Sequence, residues 1–414
     1  MATVSTLAEA GSHPESRPTG LLVVLTPLPP EGLERTIFNV ATAFAGTPVQ
    51  LATPDPVPAG TPELPQFRAF TYTPAAPVPG GWLLSAADFL NSYKLMQEHG
   101  AHGCVLLGPE SHSIAPDALA ALGAALLSGS ADLVVPRYAL GPRDGLVNSA
   151  ILYPVTRSVF GTKVRYPLAI DLAVSRRMSE RLASTAQKFA ASGQNMGLLW
   201  PVAEAAAAGM SIAEVEIGSR TIPAPDSVDL NAILARVAGS LFADVEAKAS
   251  FWQRARLAYS PKAASARTQA ASRNPEQADA SEIPDMQPML ESFRLAYSNL
   301  HEIWSLVLPP NSLLGLKKLS SMTPTDFRMP DPLWVRIVYD FILAYRLRTI
   351  NRGHLMGALT PLYLAWVASH LRLSSGLAGE SLGAEAHVEA LAAAFETDKP
   401  YLVSRWRWPD RFNP

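Results

Sequence analysis

The chain is short of cysteine, short of charge and without a long apolar run, and each shortage closes off a class of protein. A single cysteine, Cys104, excludes an internal disulfide and any zinc site built from a cysteine cluster. It stands in Cys104-Val105-Leu106-Leu107, where a small buried hydrophobe is expected, because a reactive thiol needs an electropositive, partly exposed setting. Charged residues make up 17% of the sequence and the formal net charge is -2. No global field therefore draws the chain onto nucleic acid or anionic lipid, and no nucleic-acid partner is expected. The first twenty residues carry neither the basic nor the apolar segment of a signal peptide and read as a disordered tail over 1–19. The best candidate for a membrane span, Leu355 to Ser369, falls short of the ~20 residues a span needs and contains Pro361. It reads as a buried core helix, so the expectation is no membrane span and a cytoplasmic location.

What the sequence does have is enough apolar side chain, 48% hydrophobic over 414 residues, to bury a core in each of two domains. Leu21-Leu22-Val23-Val24-Leu25 is the continuous apolar run of a strand covered on both faces. Shorter runs at 49–51, 67–70, 105–107 and 133–135 read as further strands, and 212–217 alternates like one. Between them lie helical patterns over 31–45, 82–98 and 114–127, then over 148–160, 178–191, 198–208 and 230–255. Strands alternating with helices predict an α/β fold, a mostly parallel sheet with helices on both faces, which places ligands beyond the carboxyl ends of the strands. Residues 260–285 hold almost nothing large and apolar and read as a linker. Everything after it is helical in pattern. The expected organisation is a tail over 1–19, an α/β domain over 20–258, a linker over 259–287 and an all-helical domain over 288–414.

The residues after the strand that ends at Leu107 carry more than a fold class. Gly108-Pro109-Glu110 is followed by Ser113-Ile114-Ala115-Pro116-Asp117 opening a helix, then by Ala131-Asp132-Leu133-Val134-Val135-Pro136-Arg137-Tyr138. Leu146 to Arg157 comes next, and Arg165-Tyr166-Pro167-Leu168-Ala169-Ile170-Asp171 closes the run. This stretch resembles GT-A fold glycosyltransferases of the family 2 and mannosylglycerate-synthase-like type. Pro332 to Phe341 and Leu359 to Leu364 resemble the helical domain that follows in bacterial members of that group. The likeness is densest at 131–175 and 330–366.

The resemblance implies an Asp-x-Asp motif whose carboxylates hold a divalent cation against a nucleotide diphosphate, stabilising the leaving group. Here those positions are Gly108, Pro109 and Glu110, a degenerate motif with no metal expected; Mg or Mn belongs only if the altered site still binds one. Where the family places another acid and a metal-binding His, this chain has Gln194-Asn195-Met196 and Arg220-Thr221-Ile222. Gly80-Gly81-Trp82 lacks the lysine of a common Gly-Lys-Gly run. Asp171 matches the acceptor-side acid, as catalytic residue or as the partner of a nearby arginine. Glu110, His112 and Asp55 are the substrate-binding candidates, Asp55 standing for an early uracil- or ribose-binding acid. Two functions follow. One is a catalytically degenerate protein, a pseudoenzyme kept as a binding or scaffolding partner of an active glycosyltransferase paralogue or of a second copy of itself. The other is an active, metal-independent glycosyltransferase that takes a nucleotide-sugar and uses Glu110 and Asp171.

Overall fold

The computed structural model describes residues 20–75, 81–168, 170–225, 229–254, 285–375 and 383–408. The tail expected over 1–19 and residues 259–284 of the expected linker lie outside them. Seven strands form one sheet: β1 (Leu21–Leu25), β2 (Val49–Thr53), β3 (Phe67–Thr71), β4 (Gly103–Leu107), β5 (Leu133–Tyr138), β6 (Asp171–Ser175) and β7 (Ile212–Gly218). Their order is β3-β2-β1-β4-β6-β5-β7. β1 runs parallel to β2 and β4, β2 to β3, and β5 to β7, while β6 is antiparallel to both its neighbours. The sheet is thus mixed and mostly parallel. The antiparallel strand β6 is an addition to the strands read from the sequence.

Eight helices accompany the sheet among the described residues: α1 (Pro30–Ala43), α2 (Ala86–Glu98), α3 (Pro116–Leu127), α4 (Tyr153–Phe160), α5 (Arg176–Ala191), α6 (Pro201–Ala207), α7 (Leu230–Ala247) and α8 (Ala249–Trp252). Alternation along the strands divides them between the faces. Leu21, Val23, Leu25, Val105 and Leu107 face α1 and α3, whereas Leu22, Val24, Cys104 and Leu106 face α2 and α5. α2 begins at Ala86 instead of 82, because the Asp88 carboxylate accepts the Ser85 N–H at 2.7 Å and closes a capping box there. A π-helical turn, Asn148–Leu152, leads into α4.

The second half holds no strand among the described residues. Its helices are α9 (Gln287–Asn299), α10 (His301–Val307), α11 (Pro310–Ser320), α12 (Asp331–Leu347), α13 (Arg352–Ser374) and α14 (Ala384–Arg407). α13, which contains the apolar stretch from Leu355, is buried along most of its length, and no helix among the described residues is long and apolar enough to cross a membrane.

The two halves share a core where the sequence led us to expect one in each. A single hydrophobic cluster runs from Leu21 of β1 to Trp406 of α14. The reason is α4, whose every residue is buried, so that it cannot be a surface helix of either half. It is covered by α14. Trp334 Nε1 donates to the Ala150 carbonyl at 2.9 Å, and the Tyr339 hydroxyl meets Ser158 Oγ at 3.0 Å. Arg157 reaches Glu389 at 2.6 Å and Glu396 at 3.0 Å, and Arg165 and Arg137 both pair with Glu385.

Candidate functional site

The carboxyl ends of β4, β5 and β7 and the amino end of β6 meet at one edge of the sheet. Register puts them there: Leu107, the last residue of β4, pairs with Asp171, the first of β6. The Asp171 side chain is fully buried beneath this edge, and four groups donate to it. Oδ1 accepts from the Gly108 N–H at 3.0 Å and from Arg220 Nη2 at 3.1 Å. Oδ2 accepts from the Tyr138 hydroxyl at 3.1 Å and from Arg220 Nε at 2.9 Å. Tyr138 is the last residue of β5. Arg220 follows β7 by two residues, after Gly218 turns the chain at a φ of 74°, a conformation glycine takes without strain.

Arg220 is as fully engaged as its partner. Its side chain is also completely buried, and each N–H of the guanidinium finds an acceptor. Beyond the two bonds to Asp171, Nη2 donates to the Pro109 carbonyl at 2.6 Å, and Nη1 to the Thr221 carbonyl at 2.7 Å and to Ser113 Oγ at 3.3 Å. Burial works against the guanidinium's charge, but the Asp171 carboxylate outweighs it and holds the group above its ordinary range. Burial, with the Asp171 charge second, pushes the Tyr138 phenol well up, so it stays a donor. A carboxylate has about four lone-pair sites and all are taken, which leaves Asp171 nothing with which to bind a metal or accept a substrate proton.

A divalent cation does not fit beside this pair. Gly108 offers no ligand, and a Cβ built on it would stand 2.5 Å from the Ile170 carbonyl oxygen, closer than real Cβ atoms come. The Pro109 carbonyl is held by Arg220, whose fixed positive charge opposes a second one. Among the described residues no group of three or more His, Cys, Asp or Glu side chains is placed to hold a metal ion.

Glu110 and His112 flank the Asp171–Arg220 pair at a short 3₁₀ turn, Ser111–Ser113. Glu110 adopts the left-handed conformation, φ 62°, and its carboxylate lies 3.6 Å from His112 Nε2, with 39% of the Glu110 side chain exposed. The turn is fixed to α1: Asn39 donates to the His112 and Ile114 carbonyls, Thr36 and Ser111 share a hydrogen bond, and His112 Nδ1 packs against Gly32. Asp55, after β2, accepts the Leu28 N–H at 2.9 Å and so ties the β1–α1 loop to β2. The structure brings Glu110, His112, Gly108 and Asp171 to one edge, while Asp55 serves the neighbouring loop. Arg220, Tyr138 and Ser113 complete the arrangement. From sequence, Arg220 was visible only as a departure from a histidine and Tyr138 only as the end of a matched strand.

Other buried polar side chains are bonded inside the fold. Asn148 donates to the Arg165 carbonyl, Arg157 is held by Glu389 and Glu396, and Asp340 accepts from Tyr401 and Arg405. Trp406 packs edge-on against Trp252 at 5.0 Å. Cys104 is buried, which raises its thiol pKa and keeps it protonated.

No protein-family model and no curated protein matches this chain. Among solved structures it is similar to glucosyl-3-phosphoglycerate synthase from Mycobacterium tuberculosis in complex with phosphoglyceric acid, at 15% identity and a TM-score of 0.34 over 55% of this chain and 79% of that one. The same synthase with Mn²⁺, uridine diphosphate and glucosyl-3-phosphoglycerate gives 16% identity and a TM-score of 0.33 over 55% and 80%. A mycobacterial protein gives 15% and 0.34 over 55% and 74%. A superposition this loose carries no argument about ligand or reaction.

Proposed function

We propose that this chain is a GT-A glycosyltransferase-like protein that has lost metal-dependent transfer chemistry and acts as a binding or scaffolding partner. The motif likeness at 131–175 and 330–366 and the mostly parallel sheet support the first half of that reading. The observation that carries the second is the saturated Asp171–Arg220 pair set against Gly108, where the family's metal and acceptor-side groups would stand. The partner is an active glycosyltransferase paralogue or a second copy of this chain, in the cytoplasm. Calorimetric titration of the full chain with UDP-glucose and GDP-mannose, with and without Mn²⁺, tests the loss. The expected outcome is no manganese-dependent binding and no hydrolysis; tight manganese-dependent binding overturns it.

One feature favours a second reading, an active metal-independent transferase. Glu110 holds a left-handed backbone that costs a non-glycine residue about 1–2 kcal/mol, and its carboxylate remains open to solvent. If that strain serves chemistry, the protein turns over a nucleotide-sugar in the presence of EDTA and Glu110→Gln abolishes the turnover. Absence of turnover in the unmodified chain removes this reading.

A further inference from the structure

The described residues include an open cavity of about 510 Å³ among α11, α12 and α14. Its volume lies within the ~300–1,000 Å³ range of small-ligand sites. α11 meets it with its first turn, Asn311 and Ser312, and α12 with Leu333 and Arg336; Thr397 and Asp398 of α14 form the far wall. The walls are fixed in relation to one another. α11 packs so closely on α12 that a Cβ on Gly315 would stand 2.9 Å from the Leu333 side chain.

Two donors line this cavity without protein partners, and a third is only partly engaged. α11 starts after Pro309 with no side-chain cap, and the Asn311 N–H is left free while those of Ser312 and Leu313 turn back to the Pro309 carbonyl. An uncapped helix start of this kind favours an anion through its N–H groups and its dipole. Ser312 is only 3% exposed, yet its hydroxyl makes no hydrogen bond. That hydroxyl lines the cavity and is open to a group that enters there. Arg336 gives its Nε to Asp398 at 3.2 Å and lies over the Tyr401 ring at 4.9 Å, while its terminal nitrogens bond nothing. Acidic groups limit what can enter. Asp398 would repel a second negative charge and would accept a hydroxyl, whereas Asp331, at the start of α12, is engaged with His387.

We propose that this cavity is a binding site for a phosphate monoester of a small polyol or sugar. The phosphate sits among the Asn311 N–H, the Ser312 hydroxyl and the Arg336 guanidinium, and the ligand's hydroxyls face Asp398 and Thr397. The three donor types suit the three terminal oxygens of a phosphate, and the single carboxylate selects for a hydroxylated body. The proposal does not depend on the state of the Asp171 edge.

Calorimetric titration of the full chain with glucose 6-phosphate, inorganic phosphate and glucose tests it. Glucose 6-phosphate should bind saturably, inorganic phosphate more weakly and glucose not measurably. Ser312→Ala, which removes only the hydroxyl, should weaken glucose 6-phosphate about tenfold, the order expected for a hydrogen bond to a charged group. Asp398→Asn should strengthen inorganic phosphate several-fold, a change of sign that a damaged fold would not produce. Lys318→Gln, exposed on the same helix, should leave both affinities unchanged. No saturable binding of glucose 6-phosphate, equal binding of glucose, or affinities indifferent to Ser312→Ala and Asp398→Asn would each overturn the proposal.

Discussion

Asp171→Asn and Arg220→Met ask whether the buried pair at the sheet edge is structure or chemistry. Both side chains are wholly excluded from solvent, so removing either charge leaves the other buried and uncompensated. Breaking such a pair costs about 3–5 kcal/mol. Arg220→Met also strands the Pro109 and Thr221 carbonyls and the Ser113 hydroxyl, which places it at the upper end of that range. For a chain of this size the loss should lower Tm by roughly 3–6 °C. The double variant should be destabilised by clearly less than the sum of the two, with a coupling of about 1–3 kcal/mol, since one buried charge no longer outlives its partner. Urea unfolding followed by circular dichroism, with a common m-value for all four proteins, measures each term. A catalytic carboxylate behaves in the opposite way, because active sites are held at some expense to stability and their removal is often neutral or stabilising. Asp171→Asn that unfolds at the same urea concentration as the parent, or a higher one, would refute the structural assignment.

Two further outcomes follow from the geometry. Gly108→Ala should destabilise by about 1–3 kcal/mol, since the added methyl meets the backbone oxygen of Ile170 and not a side chain that can turn aside; an unchanged urea midpoint would contradict this. His370 bonds His387 at 2.7 Å between Trp366 and α14, and burial first, then His387 and Arg165, against Asp331, lower its pKa from 6.5 to about 4. The folded chain therefore keeps the ring neutral where the unfolded chain protonates it. Stability from this group is complete above pH 6.5 and is lost as pH falls towards 4, by about 3 kcal/mol in all. A Tm profile between pH 4 and 7 should be flatter in His370→Gln than in the parent, and parallel profiles would exclude the effect.

Much of the fold was legible because parallel strands covered on both faces are written as unbroken apolar runs. Leu21 to Leu25 and Val105 to Leu107 are of this kind, and Ile212 to Ile217 alternates as a strand at the sheet edge does. β6 was not legible as a strand. Asp171-Leu172-Ala173-Val174-Ser175 is five residues opening on a buried acid, and its direction depends on pairings with β4 and β5 far away in sequence. The Ser85–Asp88 capping box that starts α2 was written in the sequence, and a period count running from Trp82 passed over it. At the site, Gly108-Pro109-Glu110 in place of an Asp-x-Asp pair could be read directly. What holds Asp171 could not, because Arg220 lies forty-nine residues away and register alone brings the two together. The continuity of the core was hidden for a related reason: an apolar helix face shows that it will be covered, and not by which half of the chain.

The approach of Gly108 to the Ile170 carbonyl bears on what this position accepts as well as on stability. A single change that put an acid at 108 would meet backbone before it met a metal. Changing Glu110 to aspartate at the same time would not relieve that collision, and Arg220 would still claim the neighbouring carboxylate. Opening the edge to an acid at 108 would need the segment before β6 to move and the arginine to leave first, each step harmful by itself. Single substitutions at this edge are thus costly, and variation is freer on other surfaces of the chain.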